Sequence, residues 1–236
     1  IDGNANLRIG SDRGVFAIDA RSTASNGYRD NSRLTQDAAG IGFSSSSGAM
    51  SLRARIDSDH SMNRFPAGLS YTQNLFNPRL TATPNNFGQL NQNRLSTGID
   101  YRLGSWTAVI DMGIKNRTSE AAFPSMGSVL ATRQSHTTQL SPKAVYKGDW
   151  GGIALNGTFG VDVLNWQFHG DQVPDATYAQ VTRQSKQSNH AWYAMTDWLL
   201  PTQTGLVAGY RRDLVVKSAQ DTGGANTSNA LSNKLT

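Results

Sequence analysis

Apolar and polar positions alternate along residues 94–117. Leu95, Thr97, Ile99, Tyr101 and Leu103 form one mostly apolar set, with Ser96, Gly98, Asp100 and Arg102 between them. After Gly104-Ser105 the pattern restarts: Trp106, Ala108, Ile110, Met112 and Ile114 are apolar, while Thr107, Asp111, Gly113 and Lys115 fall mostly on the other face. Side chains alternate faces along a strand, so the stretch predicts an antiparallel hairpin with one oily and one polar face. Each arm has the length of about ten residues that a tilted strand needs to cross a bilayer. Tyr101 and Trp106 flank the turn, where aromatic rings suit a membrane interface. A soluble sandwich also alternates, with its apolar face inward. The hairpin alone leaves both open.

The rest of the chain repeats the pattern. Strands are expected near 5–9, 15–21, 33–44, 49–59, 134–147, 153–168, 187–200 and 205–219. Short turns are expected at 10–14, 44–48, 148–151 and 201–204, and long polar loops at 22–32, 60–93, 118–133 and 170–185. A short helix is expected over 70–76, and the tail from residue 220 reads as another loop. Pro142 lies inside an expected strand, where it removes a ladder donor. Short turns and long loops alternate, and Phe43, Tyr101, Trp106, Tyr146, Trp150 and Trp198 gather at the short-turn end. A sandwich has no reason to keep its short turns at one end, whereas an outer-membrane barrel does. The expected fold is all-β: an antiparallel up-and-down transmembrane β-barrel with about ten strands in this chain. The strands either close as a small barrel or belong to a larger one. The chain starts on a strand without a leader and stops in a loop at Leu235-Thr236, which favours part of a larger barrel.

Composition narrows the function classes. No apolar run is long enough for a membrane-spanning helix. The absence of Cys removes disulfides and thiolate metal sites. The net charge of +5 is modest, and Arg53, Arg55, Arg102, Lys115, Lys143, Arg211 and Arg212 are spread over many strands. A nucleic-acid binder would cluster them, so no nucleic-acid partner is expected. Among His60, His136, His169 and His190, the densest cluster of possible ligands is Asp57, Asp59 and His60. That cluster reads as a polar patch at a loop base rather than a metal site. No nucleophile elbow, phosphate loop or dinucleotide fingerprint occurs, so neither a catalytic residue nor a cofactor is assigned.

Two residue groups remain as candidates. Arg53, Arg55, Asp57, Asp100, Arg102, Asp111, Asp162, Arg211 and Asp213 fall on polar faces and read as a solvated lumen wall with interleaved ion pairs. In the expected loops, Tyr28, Arg29, Phe65, Tyr71, Phe76, Arg79 and Phe87 combine aromatic and cationic groups, with His60 and His169 near the loop ends of strands. The mixture suits ligand capture and equally suits loops packing on one another.

In order, the chain carries Gly27-Tyr28-Arg29-Asp30-Asn31-Ser32, Phe65-Pro66-Ala67-Gly68-Leu69-Ser70, Asn77-Pro78-Arg79, Leu140-Ser141-Pro142-Lys143, Gly160-Val161-Asp162 and Leu206-Val207-Ala208-Gly209-Tyr210-Arg211. This order resembles the early barrel strands of TonB-dependent outer-membrane receptors, although Ala67 interrupts the Pro-Gly pair of that pattern. The resemblance implies a monomeric barrel of about 22 strands closed by a plug. It also implies a small-molecule ligand, most often an iron-chelate, an energy-supplying TonB complex, and contact with outer-membrane lipid and lipopolysaccharide. The plug with its TonB-contacting segment and the later strands are expected to lie outside this chain. A passive porin-like or small structural barrel, and a soluble adhesin or lectin domain, stand as alternatives.

Overall fold

The computed structural model describes residues 1–124, 128–174, 180–221 and 228–235. The chain folds as one antiparallel sheet in which every strand pairs with its sequence neighbour. Its strands are β1 (Asp2–Ser11), β2 (Gly14–Ser25), β3 (Leu34–Ser47), β4 (Met50–Arg64), β5 (Phe87–Leu103), β6 (Trp106–Phe123), β7 (Ser128–Trp150), β8 (Ile153–Pro174), β9 (Val181–Leu199), β10 (Gly205–Asp221) and β11 (Ser228–Leu235). One helix, α1 (Tyr71–Phe76), lies in the β4–β5 connection, as the sequence predicts. Its start has a physical cause. The Ser70 hydroxyl accepts from the Gln73 amide while the Gln73 side chain accepts from the Ser70 amide, a complete capping box.

The all-β, up-and-down architecture agrees with the alternation, but the strands run further than expected. The loops expected at 118–133 and 170–185 are mostly strand: β6 ends at Phe123, β7 begins at Ser128, β8 ends at Pro174 and β9 begins at Val181. The long connection at 60–93 shrinks to 65–86. The strict alternation of short turns and long loops therefore holds only as far as β5. The tail expected as loop supplies β11, which pairs with β10. In each case apolar patterning stops while backbone pairing continues. Ladder hydrogen bonds do not require an apolar face, so polar sequence extends a strand once its neighbour is in place. Gly104 opens one of the two-residue hairpins: its φ of 59 is the left-handed value needed at the first central residue of such a turn. Pro142 interrupts one ladder only. Pairing of β7 with β8 stops after Leu140↔Val163 and resumes at Lys143↔Gly160 in the same register.

The register defines two faces. Ile56, Leu95 and Ile114 share the apolar face, as do Leu52, Ile99 and Ile110. Cross-strand partners starting from Phe16 are Phe43, Ala54, Thr97, Met112, Leu140, Val163 and His190. The row begins beside a short turn and ends far up β9. That progressive stagger tilts the strands against the apolar band, as in a barrel wall. At the short-turn end Trp106 packs on Tyr146 at 5.0 Å between ring centroids and on Phe159 at 6.5 Å.

Among the described residues no second layer covers either face. Among the described residues the buried hydrophobics are Val109, Ala122 and Ala191, while Ile56, Ile110, Phe159 and Trp192 are each more than two-fifths exposed. A soluble sandwich would bury its apolar face against a second sheet. Among the described residues, β1 pairs only with β2 and β11 only with β10, so the eleven strands do not close on themselves.

Candidate functional site

The polar face carries an ion-pair network built on glycine. Arg53 lies opposite Gly98 in the β4–β5 ladder. A Cβ on Gly98 would collide with the Arg53 guanidinium, and one on Gly40 would collide with that of Arg55. The missing side chains let both arginines lie flat on the sheet. Arg53 donates to Asp100 at 2.6 Å and also to Asp111. Arg55 reaches Asp19 at 2.9 Å and Asp57 at 2.7 Å. Further along, Arg211 joins Asp162 at 2.8 Å and Asp213 at 3.0 Å, and its guanidinium lies 5.5 Å from the Tyr193 ring centroid. Tyr193 in turn occupies the space a side chain on Gly160 would need. The sequence reasoning missed Gly40, Gly98, Gly160 and Tyr193, since nothing in a single strand reveals which residue stands opposite. Arg102 takes no part in an ion pair among the described residues.

Beside this network the face opens into a cleft of about 640 Å³ whose lining includes Arg8, Arg53, Arg55, Arg94, Asp111 and Lys115. Arg53 and Arg55 are matched by carboxylates. Arg8, Arg94 and Lys115 enter no ion pair with described residues. Arg94 and Lys115 face each other directly across the β5–β6 ladder. Like charges so placed destabilise a sheet; on the other side of Arg94 stands Asp57, whose carboxylate is bonded to Arg55. Lys115 pairs with Thr137, which pairs with Trp166 on β8. Trp166 stacks on Phe168 with ring centroids 5.7 Å apart. An aromatic pair beside free cations, on a face otherwise polar, is also absent from the sequence-based candidates. Its signal there was weak, because Trp166 and Phe168 occupy polar-face positions of a strand whose apolar residues lie on the other side.

The loop candidates separate into two roles. The Arg29 guanidinium donates to the carbonyls of Ala67 at 2.5 Å, Pro66 at 3.2 Å and Leu80 at 2.8 Å. Asn31 donates to those of Phe65, Thr83 and Asn86. Together they clasp 26–33 to 65–86. Tyr28 is held under Arg79, 5.9 Å from the guanidinium carbon to its ring centroid. Phe65 stacks on Phe123 at 5.7 Å, and Phe87 lies under Arg64 at 5.5 Å. Tyr71 remains 85% exposed, alongside Leu75 and Phe76.

The histidines are not on the polar face. On β4, Asp57 and Asp59 point to the polar side and His60 to the opposite one, where it meets Asn91 at 2.6 Å. The Asp57, Asp59 and His60 cluster of the sequence is thus divided between faces. His169 also lies on the apolar side, bonded to Asp171 at 2.8 Å.

No protein-family profile matches the sequence, and no curated protein matches it. Solved structures do. The unliganded ferric citrate transporter FecA superposes over 99% of this chain and 37% of its own length, with a TM-score of 0.87 and 13% identity. The ferric yersiniabactin uptake receptor FyuA from Yersinia pestis matches over 100% and 40%, with a TM-score of 0.77 and 11% identity. The open form of the ferric-catecholate import receptor Fiu from E. coli K12 matches over 100% and 48%, with a TM-score of 0.75 and 10% identity. This chain spans less than half the length of each, and the shared feature is the fold of the barrel wall.

Proposed function

We propose that this chain is part of the wall of an outer-membrane receptor that takes up an anionic iron-chelate, with energy supplied through a TonB complex. The observation that carries this reading is the polar-face cleft, where Arg94 and Lys115 confront each other and neither forms an ion pair with a described residue, Asp57 opposite Arg94 being bonded to Arg55. Charge-assisted bonds from such a pair suit a multiply charged carboxylate or catecholate chelate, and the Trp166–Phe168 stack offers a flat face to an aromatic one. The exposed apolar face supports a lipid surround, because a single sheet with that much apolar surface needs a non-aqueous neighbour. The fold shared with ferric-chelate transporters supports the same substrate class. Tyr28, Tyr71 and Phe76 present the exposed aromatic surface over which a ligand would first pass.

The test is uptake of radioactive iron by iron-starved cells expressing the full-length gene product, with ferric citrate and a ferric catecholate as probes. Uptake that depends on both the protein and TonB, and falls in an Arg94→Gln/Lys115→Gln variant present at normal membrane levels, is the expected result. Uptake indifferent to TonB would favour a passive pore, and a product that dissolves without detergent would favour a soluble adhesin; either overturns the proposal.

A further inference from the structure

One charged residue interrupts the apolar band. On β10 the apolar face carries Leu206, Ala208, Tyr210, Arg212, Leu214 and Val216, so Arg212 has apolar neighbours on both sides along its strand. Its cross-strand partners are Trp192 on β9 and Leu235 on β11. Trp192 in turn faces Val161 on β8. The run from Leu206 to Val216 covers about 25 Å of depth for a strand rising about 3.3 Å per residue and tilted by about 40°. That is the height of the lipid-facing band of an outer-membrane barrel. Arg212 stands about 10 Å from the nearer end of the band, farther than a three-methylene stem bridges by snorkelling. The other cations of this face among the described residues of the strands, Arg64 and Lys186, lie at its long-connection margin.

The guanidinium has no anion to meet. The Arg212 side chain forms no ion pair, hydrogen bond or ring contact with a described residue, while Arg211 beside it on the polar face is matched by Asp162 and Asp213. Among the described residues the apolar face carries the carboxylates of Asp37, Glu120 and Asp171, all near the long-connection ends of their strands. Asp171 pairs with Thr182, which lies about 33 Å along β9 from Trp192 and so from the level of Arg212. Residues 222–236 contain no Asp or Glu. Trp192, opposite Arg212, packs on Tyr210 with ring centroids 4.9 Å apart, and both rings are exposed. They lie inside the band, away from the short-turn margin where Tyr101, Trp106 and Tyr146 collect. Trp, Tyr and Arg are the residue types that dominate the energetic centres of protein interfaces. An arginine at mid-depth on a lipid-facing strand is destabilising, and ionisable residues kept at such depth are paired or functional.

We infer that Arg212, Trp192 and Tyr210 form a docking site on the outer surface of the barrel wall for a protein segment that crosses the same membrane and presents a carboxylate at mid-depth. It rests on the reading of the apolar face as lipid-facing. Charge complementarity selects the occupant. A second copy of this chain has the same orientation in the membrane, and its described apolar-face carboxylates lie at the margin, so it brings none of them to the level of Arg212. A lipid phosphate stays with the headgroups, about 10 Å away. A segment with one Asp or Glu in an apolar stripe meets the guanidinium by a two-pronged, charge-assisted bond. Neither charge is then left unpaired in apolar surroundings.

The experiment uses the full-length protein in its native cell envelope, with a photoreactive benzoylphenylalanine in place of Leu214, which shares the face of Arg212 on β10. Irradiation should give one protein adduct, and mass spectrometry should locate an Asp or Glu of the partner beside the cross-link. Removing one member of a desolvated charge pair weakens association by about thirtyfold or more, so Arg212→Gln should abolish the adduct, as should replacement of the partner's acid by arginine. Combining that replacement with Arg212→Glu should restore it. Purified Arg212→Leu protein should be at least as stable in detergent as the wild type, because it loses a charge from the band. The inference is overturned by adducts with lipid alone or with a second copy of the chain, by the absence of any protein adduct, or by an adduct that survives Arg212→Gln. Failure of the exchanged pair, or an isolated Arg212→Leu protein less stable than the wild type, overturns it too. Each of these leaves the uptake proposal standing, whereas a protein that dissolves without detergent overturns both.

Discussion

Gly98 stands directly opposite Arg53 across the β4–β5 ladder, and the arginine lies over the space where a side chain would be, reaching Asp100 on one strand and Asp111 on the next. The pair shows how the polar wall is ordered: bare backbone on one strand sets the posture of a cation on its neighbour.

Gly98→Val should therefore lift Arg53 from the wall. The ion pairs involved are partly exposed, and such pairs contribute only about 0–1 kcal/mol each. The expected stability loss is under about 2 kcal/mol from pairs of this kind, with loss of chelate binding the larger effect. Denaturant unfolding in detergent alongside equilibrium binding measures both. A large stability loss with binding intact would show that Arg53 is structural only.

Arg94→Gln/Lys115→Gln should move stability and binding in opposite directions. Relief of the direct like-charge contact should stabilise the sheet by roughly 0.2–1 kcal/mol, while affinity for an anionic chelate falls. Thermal unfolding and chelate titration on one preparation check the two signs. A variant that is both less stable and equally competent would mean that the pair is matched by an acid elsewhere in the full protein.

Arg29→Ala should release 65–86 without disturbing the strands. A hydrogen bond from a charged donor contributes about 1.5–3 kcal/mol, and Arg29 reaches three carbonyls of that connection. Faster amide exchange and proteolysis are expected within 65–86, α1 included, with β4 and β5 unchanged. Unaltered exchange there would show that Asn31 alone holds the clasp.

Asp171 supplies a pH prediction, lying eight residues past Val163 and so beyond the apolar band. The Thr182 hydroxyl first, and His169 second, hold its carboxyl below the ordinary value of 3.8. A depressed folded-state value means that the contribution is complete above that ordinary range and is lost as pH falls through the lower one. Thr182→Val should raise the Asp171 titration toward the ordinary range, read by carboxyl-carbon NMR on Asp-labelled protein. No movement would assign the effect to His169.

Much of this was legible in single strands. The alternation about Gly104-Ser105 placed the central hairpin and its two faces, and a short helix was expected over 70–76. The sequence reads Arg53, Arg55, Asp100, Asp111 and Arg211 as a lumen wall with interleaved ion pairs; the structure shows ion pairs among them and with Asp19, Asp57 and Asp162 on one polar face. The separation of His60 from Asp57 and Asp59 was present in the alternation too, but proximity in sequence obscured it.

The sequence by itself determined where the apolar parts of the strands run, which side of each is oily, and where the tight turns fall, because these follow from a period of two and from residues that permit a tight reversal. Tertiary structure alone decided how far the strands continue, which glycine lies beneath which arginine, that Arg94 meets Lys115, and that Arg29 is occupied by loop carbonyls. Each of these depends on cross-strand register and on contacts between distant segments. Register is set by the whole ladder, and a slip of one residue would exchange every face.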